Sequence, residues 1–289
     1  MDNIQGFILG LIQGSTEFLP LSSAAHRVIA RELLGIDILP IPYQFFITFT
    51  SFITLLLFFR TEISELTKSF VRILKKQDKR DELQPLDSLN VLINDDEHSF
   101  KTIVALHIST FISLIISLVI RHYIPILDVK IMGLNLILTA VMLYLGYTKV
   151  STQKYINKIS NIDNLNKGVN KRTSFLIGIM QGLSTIFGVS RTATTFCAGV
   201  FCNVHKYTVG IFSFLAYIPF LFFNMLFLTG DMMHFNTPLN YMPLFITCVT
   251  SLIIGYGALT LFFRLLKRNK LHLLSFYLIP AGILTMIFL

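Results

Sequence analysis

Gln13 and Glu17 are two polar residues four positions apart in a largely apolar stretch near the start of the chain. On a helix, this spacing places them on one face, one turn apart. A carboxylate in an apolar segment is costly unless a partner, a metal or water compensates for its burial, so Glu17 is a candidate functional residue. The alternative is that Glu17 lies at the mouth of the membrane and accepts hydrogen bonds from the following turn.

A hydroxyl and imidazole pair follows this stretch. Pro20 ends the first predicted helix, and Ser22 is suited to cap the next one. His26 comes four positions after Ser22 and three after Ser23, so a helix would place its ring beside both hydroxyls. Capping alone explains one serine, whereas the spacing to His26 is typical of a nucleophile and its base.

A second polar cluster surrounds Arg191, the only formal charge between Arg172 and Lys206. An arginine in an apolar segment needs an anionic partner. The guanidinium donors match phosphate oxygens, and the free N–H groups of a helix start add positive potential beside them. The alternative is an internal ion pair between Arg191 and Glu17.

The two polar clusters lie in stretches 4–35 and 173–205, which are apolar but interrupted by Gly, Ser, Thr and isolated charges. Such interruptions predict two re-entrant helical hairpins around an internal site. Aligned at an offset of 168, Phe7–His26 and Phe175–Thr194 share the following identical pairs: Phe7/Phe175, Gly10/Gly178, Gln13/Gln181, Gly14/Gly182, Ser22/Ser190 and Ala25/Ala193. The matches indicate an internal duplication, although Gly-rich apolar sequences also match by chance.

Composition indicates where these hairpins lie. The chain of 289 residues is 53% hydrophobic and only 14% charged, which is more apolar than ordinary soluble domains. Its net charge of +8 comes from basic residues between the apolar runs, so it indicates membrane orientation and not a nucleic acid partner. Six stretches are suited to cross a bilayer as helices: 43–60, 102–120, 130–148, 208–228, 242–264 and 272–289.

The distribution of basic residues predicts the topology. Segments 61–101, 149–172 and 265–271 are rich in Lys and Arg and are therefore expected in the cytoplasm. Because each hairpin precedes three spans, the second hairpin must enter from the side opposite to the first.

The predicted fold class is therefore an all-α integral membrane protein, with six transmembrane helices plus two re-entrant hairpins in an inverted-topology repeat. Its parts are a single membrane domain (1–289), a first repeat (1–148), a cytoplasmic linker (149–172) and a second repeat (173–289). In this arrangement the two hairpins form one anion pocket that opens to the outer side of the membrane.

At these residues the sequence resembles the undecaprenyl-diphosphate phosphatase family, bacterial membrane enzymes that recycle the lipid carrier of cell-wall synthesis. Gln13–Glu17 resembles the family's Glu/Gln-x-x-x-Glu signature, and residues 18–26 (FLPLSSAAH) resemble its Phe-Leu-Pro-x-Ser-Ser-x-x-His. Gly188–Arg191 with Thr195 is similar to its Pro-Gly-x-Ser-Arg-Ser-x-x-Thr, and residues 212–215 (FSFL) with Pro219 resemble a later element. The resemblance spans nearly the whole chain.

The resemblance implies hydrolysis of undecaprenyl (polyprenyl) diphosphate to the monophosphate and inorganic phosphate in the bacterial inner membrane, and also a homodimer. The implied catalytic residues are Glu17, Ser23, His26 and Arg191. Ser23 is the expected nucleophile and His26 its base or acid, with water activated by Glu17 or a metal as the alternative. The expected substrate-binding residues are Gln13, Ser22, Gly188, Ser190, Thr192 and Thr195. Glu17 with Gln13 is expected to coordinate Mg²⁺ or Ca²⁺.

Several positions depart from the family pattern. Phe187 replaces a Pro, Thr192 a Ser and Ala25 a Gly, and Leu278 stands where an Arg is common. Two other functions therefore stay open. A lipid or anion transporter could use the same inverted-repeat pocket, although it would need no nucleophile and base. A catalytically inactive relative would bind the substrate without turning it over.

Overall fold

The computed structural model describes residues 1–36, 39–75, 96–121, 129–160, 168–233 and 239–289, and these are helical, with no strand among them. The helices are α1 (Asn3–Phe18), α2 (Ser23–Leu33), α3 (Ile41–Phe58), α4 (Arg60–Leu74), α5 (Asp96–Arg121), α6 (Val129–Ser160), α7 (Lys171–Phe187), α8 (Arg191–Phe201), α9 (Lys206–Met232), α10 (Tyr241–Lys267) and α11 (Ser275–Phe288), with a short 3₁₀ helix at Leu271–Leu274.

The six predicted spans are confirmed as helices long and apolar enough to cross a membrane. They are Ile41–Phe58, Ser99–Val119, Val129–Thr152, Lys206–Met232, Tyr241–Lys267 and Leu271–Phe288. Two basic segments contain more helix than a connecting loop would: α4 occupies the start of 61–101, and α6 continues into the predicted linker as far as Ser160. The parts of these segments at 76–95 and 161–167 lie outside the described residues.

Each of the two apolar but interrupted stretches forms a pair of helices separated by a short break, α1 with α2 and α7 with α8. In the first break Ser22 has a φ of 67°, and its side chain accepts a hydrogen bond from the N–H of Ala25 at 3.3 Å. In the second break the left-handed residue is Gly188, with a φ of 65°, and Ser190 caps α8. Whether these pairs are re-entrant stays a prediction, as does the division into two inverted repeats.

Glycines let the broken pairs pack closely against long helices. A Cβ atom at Gly10 would lie 2.6 Å from the Thr247 carbonyl oxygen on α10, and one at Gly178 would lie 2.6 Å from the Ser109 carbonyl oxygen on α5. Real Cβ atoms do not approach backbone this closely, so only glycine fits at both positions. The two glycines are equivalent in the alignment at an offset of 168, and each fixes its helix pair in the bundle.

Candidate functional site

A cavity of about 470 Å³ lies where the two breaks meet α3, α5 and α9. The Ser22 hydroxyl donates a hydrogen bond to the carbonyl oxygen of Gly188, which joins the first break directly to the second. The cavity wall includes six of the predicted site residues, Gln13, Glu17, Ser22, Ser23, Ser190 and Arg191. The predicted meeting of the two polar clusters in one cavity is therefore present in the structure.

Glu17 is the only acidic residue of this wall among the described residues. Its Oε1 accepts a hydrogen bond from the Tyr217 hydroxyl at 2.6 Å, and its Oε2 accepts one from Gln13 Nε2 at 3.0 Å. The expected contact across one helical turn between Gln13 and Glu17 is thus formed. Because two neutral donors hold it, the carboxylate has a fixed orientation.

Arg191, the first residue of α8, lies with its Cζ 3.6 Å from the centroid of the Tyr217 ring, in a cation–π contact. Its NH1 donates to the Ser213 carbonyl at 3.4 Å and its NH2 to the Thr192 hydroxyl at 3.2 Å. Within the described part of the chain, no ion pair joins Arg191 to Glu17. The alternative of an internal ion pair is therefore not observed, and Tyr217 contacts both groups instead.

Ser23 lines the same cavity as Glu17, but His26 does not line it. His26 Nδ1 lies 2.9 Å from the Ser22 carbonyl oxygen, and Nε2 lies 2.9 Å from the Tyr277 hydroxyl. A carbonyl only accepts, so Nδ1 is the donor, and in a neutral ring Nε2 then accepts from Tyr277. The expected contact between the His26 ring and the Ser23 hydroxyl is absent because both ring nitrogens have other partners.

The other three predicted binding residues lie behind the cavity wall and support it. Gly188 supplies the carbonyl that Ser22 binds, and Thr192 accepts from Arg191. The Thr195 hydroxyl donates to the Arg191 carbonyl at 2.9 Å. All three therefore contact groups that reach the cavity, and none of them lines it.

The cavity residues that the sequence analysis did not single out include Arg27 and Tyr217, which contact the predicted site residues Gln13, Glu17 and Arg191. Arg27 NH1 donates to Gln13 Oε1 at 3.0 Å. Arg27 comes four positions after Ser23, so helical spacing already placed both on one face, and this signal was available. Tyr217 carried no comparable signal, since a lone tyrosine in an apolar helix usually serves packing.

The cavity fits a hard divalent cation through Glu17 only. The described residues contain no group of three or more His, Cys, Asp or Glu that could hold a metal. Mg²⁺ bound together with a phosphate substrate needs just one or two carboxylates, which Glu17 can supply. The carbonyl oxygen of Gln13 accepts from Arg27, so in this arrangement Gln13 is a poor second ligand.

Comparison with known proteins covers almost the whole chain. A sequence model of the family described as bacitracin resistance protein BacA matches residues 6–284. An undecaprenyl-diphosphatase of Borrelia recurrentis is 28% identical over 282 residues, which are 97% of this chain and 97% of that protein. Undecaprenyl-diphosphatase 3 of Bacillus anthracis is 29% identical over 287 residues, 98% of this chain and 96% of that protein. An undecaprenyl-diphosphatase of Treponema denticola is 24% identical over 283 residues, 98% and 96% of the two chains.

Proposed function

Because the chain belongs to the bacitracin resistance protein BacA family, we propose that it hydrolyses undecaprenyl diphosphate to undecaprenyl monophosphate and inorganic phosphate. Relatives that match nearly its full length are named undecaprenyl-diphosphatase. The observation that carries the proposal is the cavity itself, in which one carboxylate, a serine hydroxyl and two guanidinium groups come together.

The charges of the cavity suit a diphosphate. Arg27 and Arg191 are both in its wall, and α2 and α8 begin there, at Ser23 and Arg191. Helix starts carry partial positive charge and bind phosphate groups. Phosphoryl transfer depends chiefly on positioning and on neutralising charge, so these groups supply what the reaction needs.

Ser23 is the proposed nucleophile, and Glu17 is the group placed to accept its proton. A bond forms between Ser23 Oγ and the terminal phosphorus while the bond from that phosphorus to the bridging oxygen breaks. The bridging oxygen leaves with the lipid monophosphate. Water then cleaves the phosphoserine, giving inorganic phosphate and returning the proton to Ser23. In the alternative, Glu17 activates water that attacks the terminal phosphorus directly, with the same products.

His26 enters the proposal as a positioning residue. Its ring joins the Ser22 carbonyl to the Tyr277 hydroxyl of α11, and it therefore holds the start of α2, where Ser23 lies. This differs from the base or acid expected from the sequence. Glu17 and Ser23 line the same cavity, so the Glu17 carboxylate takes the place of the His26 ring in the proposed proton transfer.

A divalent cation, Mg²⁺ or Ca²⁺, is also part of the proposal. Glu17 would hold it together with oxygens of the diphosphate. When bound, such a cation neutralises charge on the phosphate oxygens.

The location follows from the same reasoning. The six spans place the chain in a membrane, and we propose the bacterial inner membrane, with the cavity opening to the periplasmic side. The support for this orientation is the distribution of basic residues between the spans. The homodimer implied by the resemblance stays a prediction.

The test is phosphate release by the purified protein in detergent, with undecaprenyl diphosphate and either Mg²⁺, Ca²⁺ or a chelator. The wild type is expected to release phosphate, and Glu17→Ala, Ser23→Ala and Arg191→Ala to lose nearly all activity. His26→Ala is expected to retain more than these three.

Ser15→Ala is the matched control, because the Ser15 hydroxyl donates to the Ile12 carbonyl and lies outside the cavity wall. A wild type that is inactive in every condition would overturn the proposal. Lipid movement across vesicles would then indicate a transporter, and binding without turnover would indicate an inactive relative.

A further inference from the structure

The two cavity arginines lie on different sides of Glu17 in one chain of contacts. Arg27 donates to Gln13, and Gln13 donates to Glu17 Oε2. On the other side, Tyr217 donates to Glu17 Oε1 and supports the guanidinium of Arg191 with its ring. The Glu17 carboxylate thus lies between the two arginines. A neutral side chain contacts both Glu17 and each arginine, Gln13 for Arg27 and Tyr217 for Arg191.

Both arginines keep the capacity to bind an anion. A guanidinium has five N–H donors, and the hydrogen bond to Gln13 is the only one that the structure shows for Arg27 among the described residues. No described carboxylate forms an ion pair with either arginine. A diphosphate offers two phosphoryl groups, so one arginine can bind each of them with charge-assisted hydrogen bonds.

The direct contacts of the two arginines differ. Arg191 contacts the rings of Tyr217 and Phe214, whereas Arg27 contacts the amide of Gln13. The aromatic contacts of Arg191 suit the phosphoryl group that carries the lipid.

Arg27 lies instead at a junction with a second cavity of about 410 Å³. Arg27, Ala24, Thr48 and Asn224 line both cavities, and the second also has two polar residues, Arg31 and Gln44, and four apolar ones, Val28, Leu39, Ile47 and Leu228. Arg27 is also one helical turn from Ser23, the proposed nucleophile. This position beside the nucleophile suits the terminal phosphoryl group, which is attacked and then leaves as a small hydrophilic anion.

We propose that Arg27 binds the terminal phosphoryl group of the diphosphate, while Arg191 binds the lipid-linked phosphoryl group. Inorganic phosphate, once formed, is held at Arg27 and leaves through the second cavity. This assignment rests on the proposed function and adds that each of the two arginines binds a different phosphoryl group.

The assignment predicts that the two products bind to different arginines. Inorganic phosphate should compete with the substrate through Arg27, and undecaprenyl monophosphate should compete through Arg191. Loss of a charge-assisted hydrogen bond weakens binding by roughly tenfold or more. A merely structural role for Arg27 would change inhibition by both products alike.

The experiment compares wild type, Arg27→Gln, Arg27→Lys and Arg191→Gln, with inhibition constants for inorganic phosphate and for undecaprenyl monophosphate. For Arg27→Gln we expect the constant for inorganic phosphate to rise about tenfold and that for the lipid to change less than about twofold. Arg191→Gln should show the opposite pattern, and Arg27→Lys should be intermediate because it keeps the charge but loses the planar set of donors.

Arg264→Gln is the control, since it removes the same charge from an exposed position of α10 that lines neither cavity, and both constants should stay within about twofold. Equal changes for both products in Arg27→Gln, or the same change in Arg264→Gln, would overturn the assignment. For variants too slow to assay, stabilisation of the protein against heat by each product replaces the inhibition constant. A wild type without phosphatase activity contradicts the proposed function itself, which keeps the two failures distinct.

Discussion

In the first broken helix pair the left-handed residue is Ser22, and in the second it is Gly188, two positions before the serine that aligns with Ser22. Both pairs end their first helix at this break and cap their second helix with a serine, Ser22 or Ser190. Both also use a glycine, Gly10 or Gly178, to approach a long helix at backbone distance. The scaffold of the two pairs is therefore closely similar.

The side chains that face the cavity differ between the pairs. At the offset of 168, Glu17 aligns with Thr185, and the nucleophile candidate Ser23 aligns with Arg191. The first pair thus supplies the carboxylate, the candidate nucleophile and Arg27, whereas the second supplies a cation, Arg191, at the position that aligns with Ser23. One scaffold used twice therefore brings a second guanidinium to the cavity from the pair that has no carboxylate there.

The largest effect should come from the position at which the pairs differ most. Glu17→Gln keeps the shape of the side chain but removes the only carboxylate of the cavity among the described residues. We expect phosphate release to fall by about a thousandfold, as for the loss of a catalytic acid–base group. The aligned change Thr185→Val should reduce release by no more than about fivefold, since it removes only neutral hydrogen bonds, with the Gly182 carbonyl and the Ser117 hydroxyl. Similar losses of phosphate release in Glu17→Gln and Thr185→Val would contradict the different roles of the two helix pairs at this aligned position.

Tyr217 connects the two pairs, and its substitution tests whether that connection matters. Tyr217→Phe removes the hydrogen bond to Glu17 but keeps the ring beneath Arg191, and we expect kcat to fall about tenfold. Tyr217→Leu also removes the cation–π contact and should lower kcat by about a hundredfold. Steady-state kinetics in detergent measures both variants. If Phe and Leu reduce kcat equally, the contact between the ring and Arg191 contributes nothing to catalysis.

The helices of the fold were predictable because a segment that crosses a membrane must be apolar over its whole length, and such a run is visible in the sequence. Each of the six spans, such as Tyr241–Lys267, is a long apolar run, and the two breaks are marked by Pro20 and Gly188. Contacts between distant helices leave no such mark. The pairing of His26 with Tyr277, 251 positions away, could not be derived from spacing, which placed His26 beside Ser23 instead.

The similar packing of the pairs is tested by adding one methyl group to each. Gly10→Ala and Gly178→Ala both force a Cβ against a backbone carbonyl, so each should destabilise the protein by about 1–3 kcal/mol. Gly257→Ala is the control, because nothing lies within 4 Å of its added Cβ and alanine favours the helix. Thermal unfolding in detergent measures all three. If only one of the variants Gly10→Ala and Gly178→Ala loses stability, the two helix pairs are not packed alike.

The smallest effects should come from the serine caps, where the breaks differ in detail. Ser190→Ala removes the cap of α8 and should cost about 1 kcal/mol. Ser22→Ala removes the cap of α2 and also the hydrogen bond to the Gly188 carbonyl, so its cost should be about 1 kcal/mol greater. Ser22→Gly should recover part of this loss, because glycine adopts a φ of 67° without strain. Unfolding midpoints without substrate measure the three variants. Equal losses of stability for Ser22→Ala and Ser190→Ala would show that the hydrogen bond from Ser22 to the Gly188 carbonyl adds nothing to stability. The caps of α2 and α8 would then account for both losses.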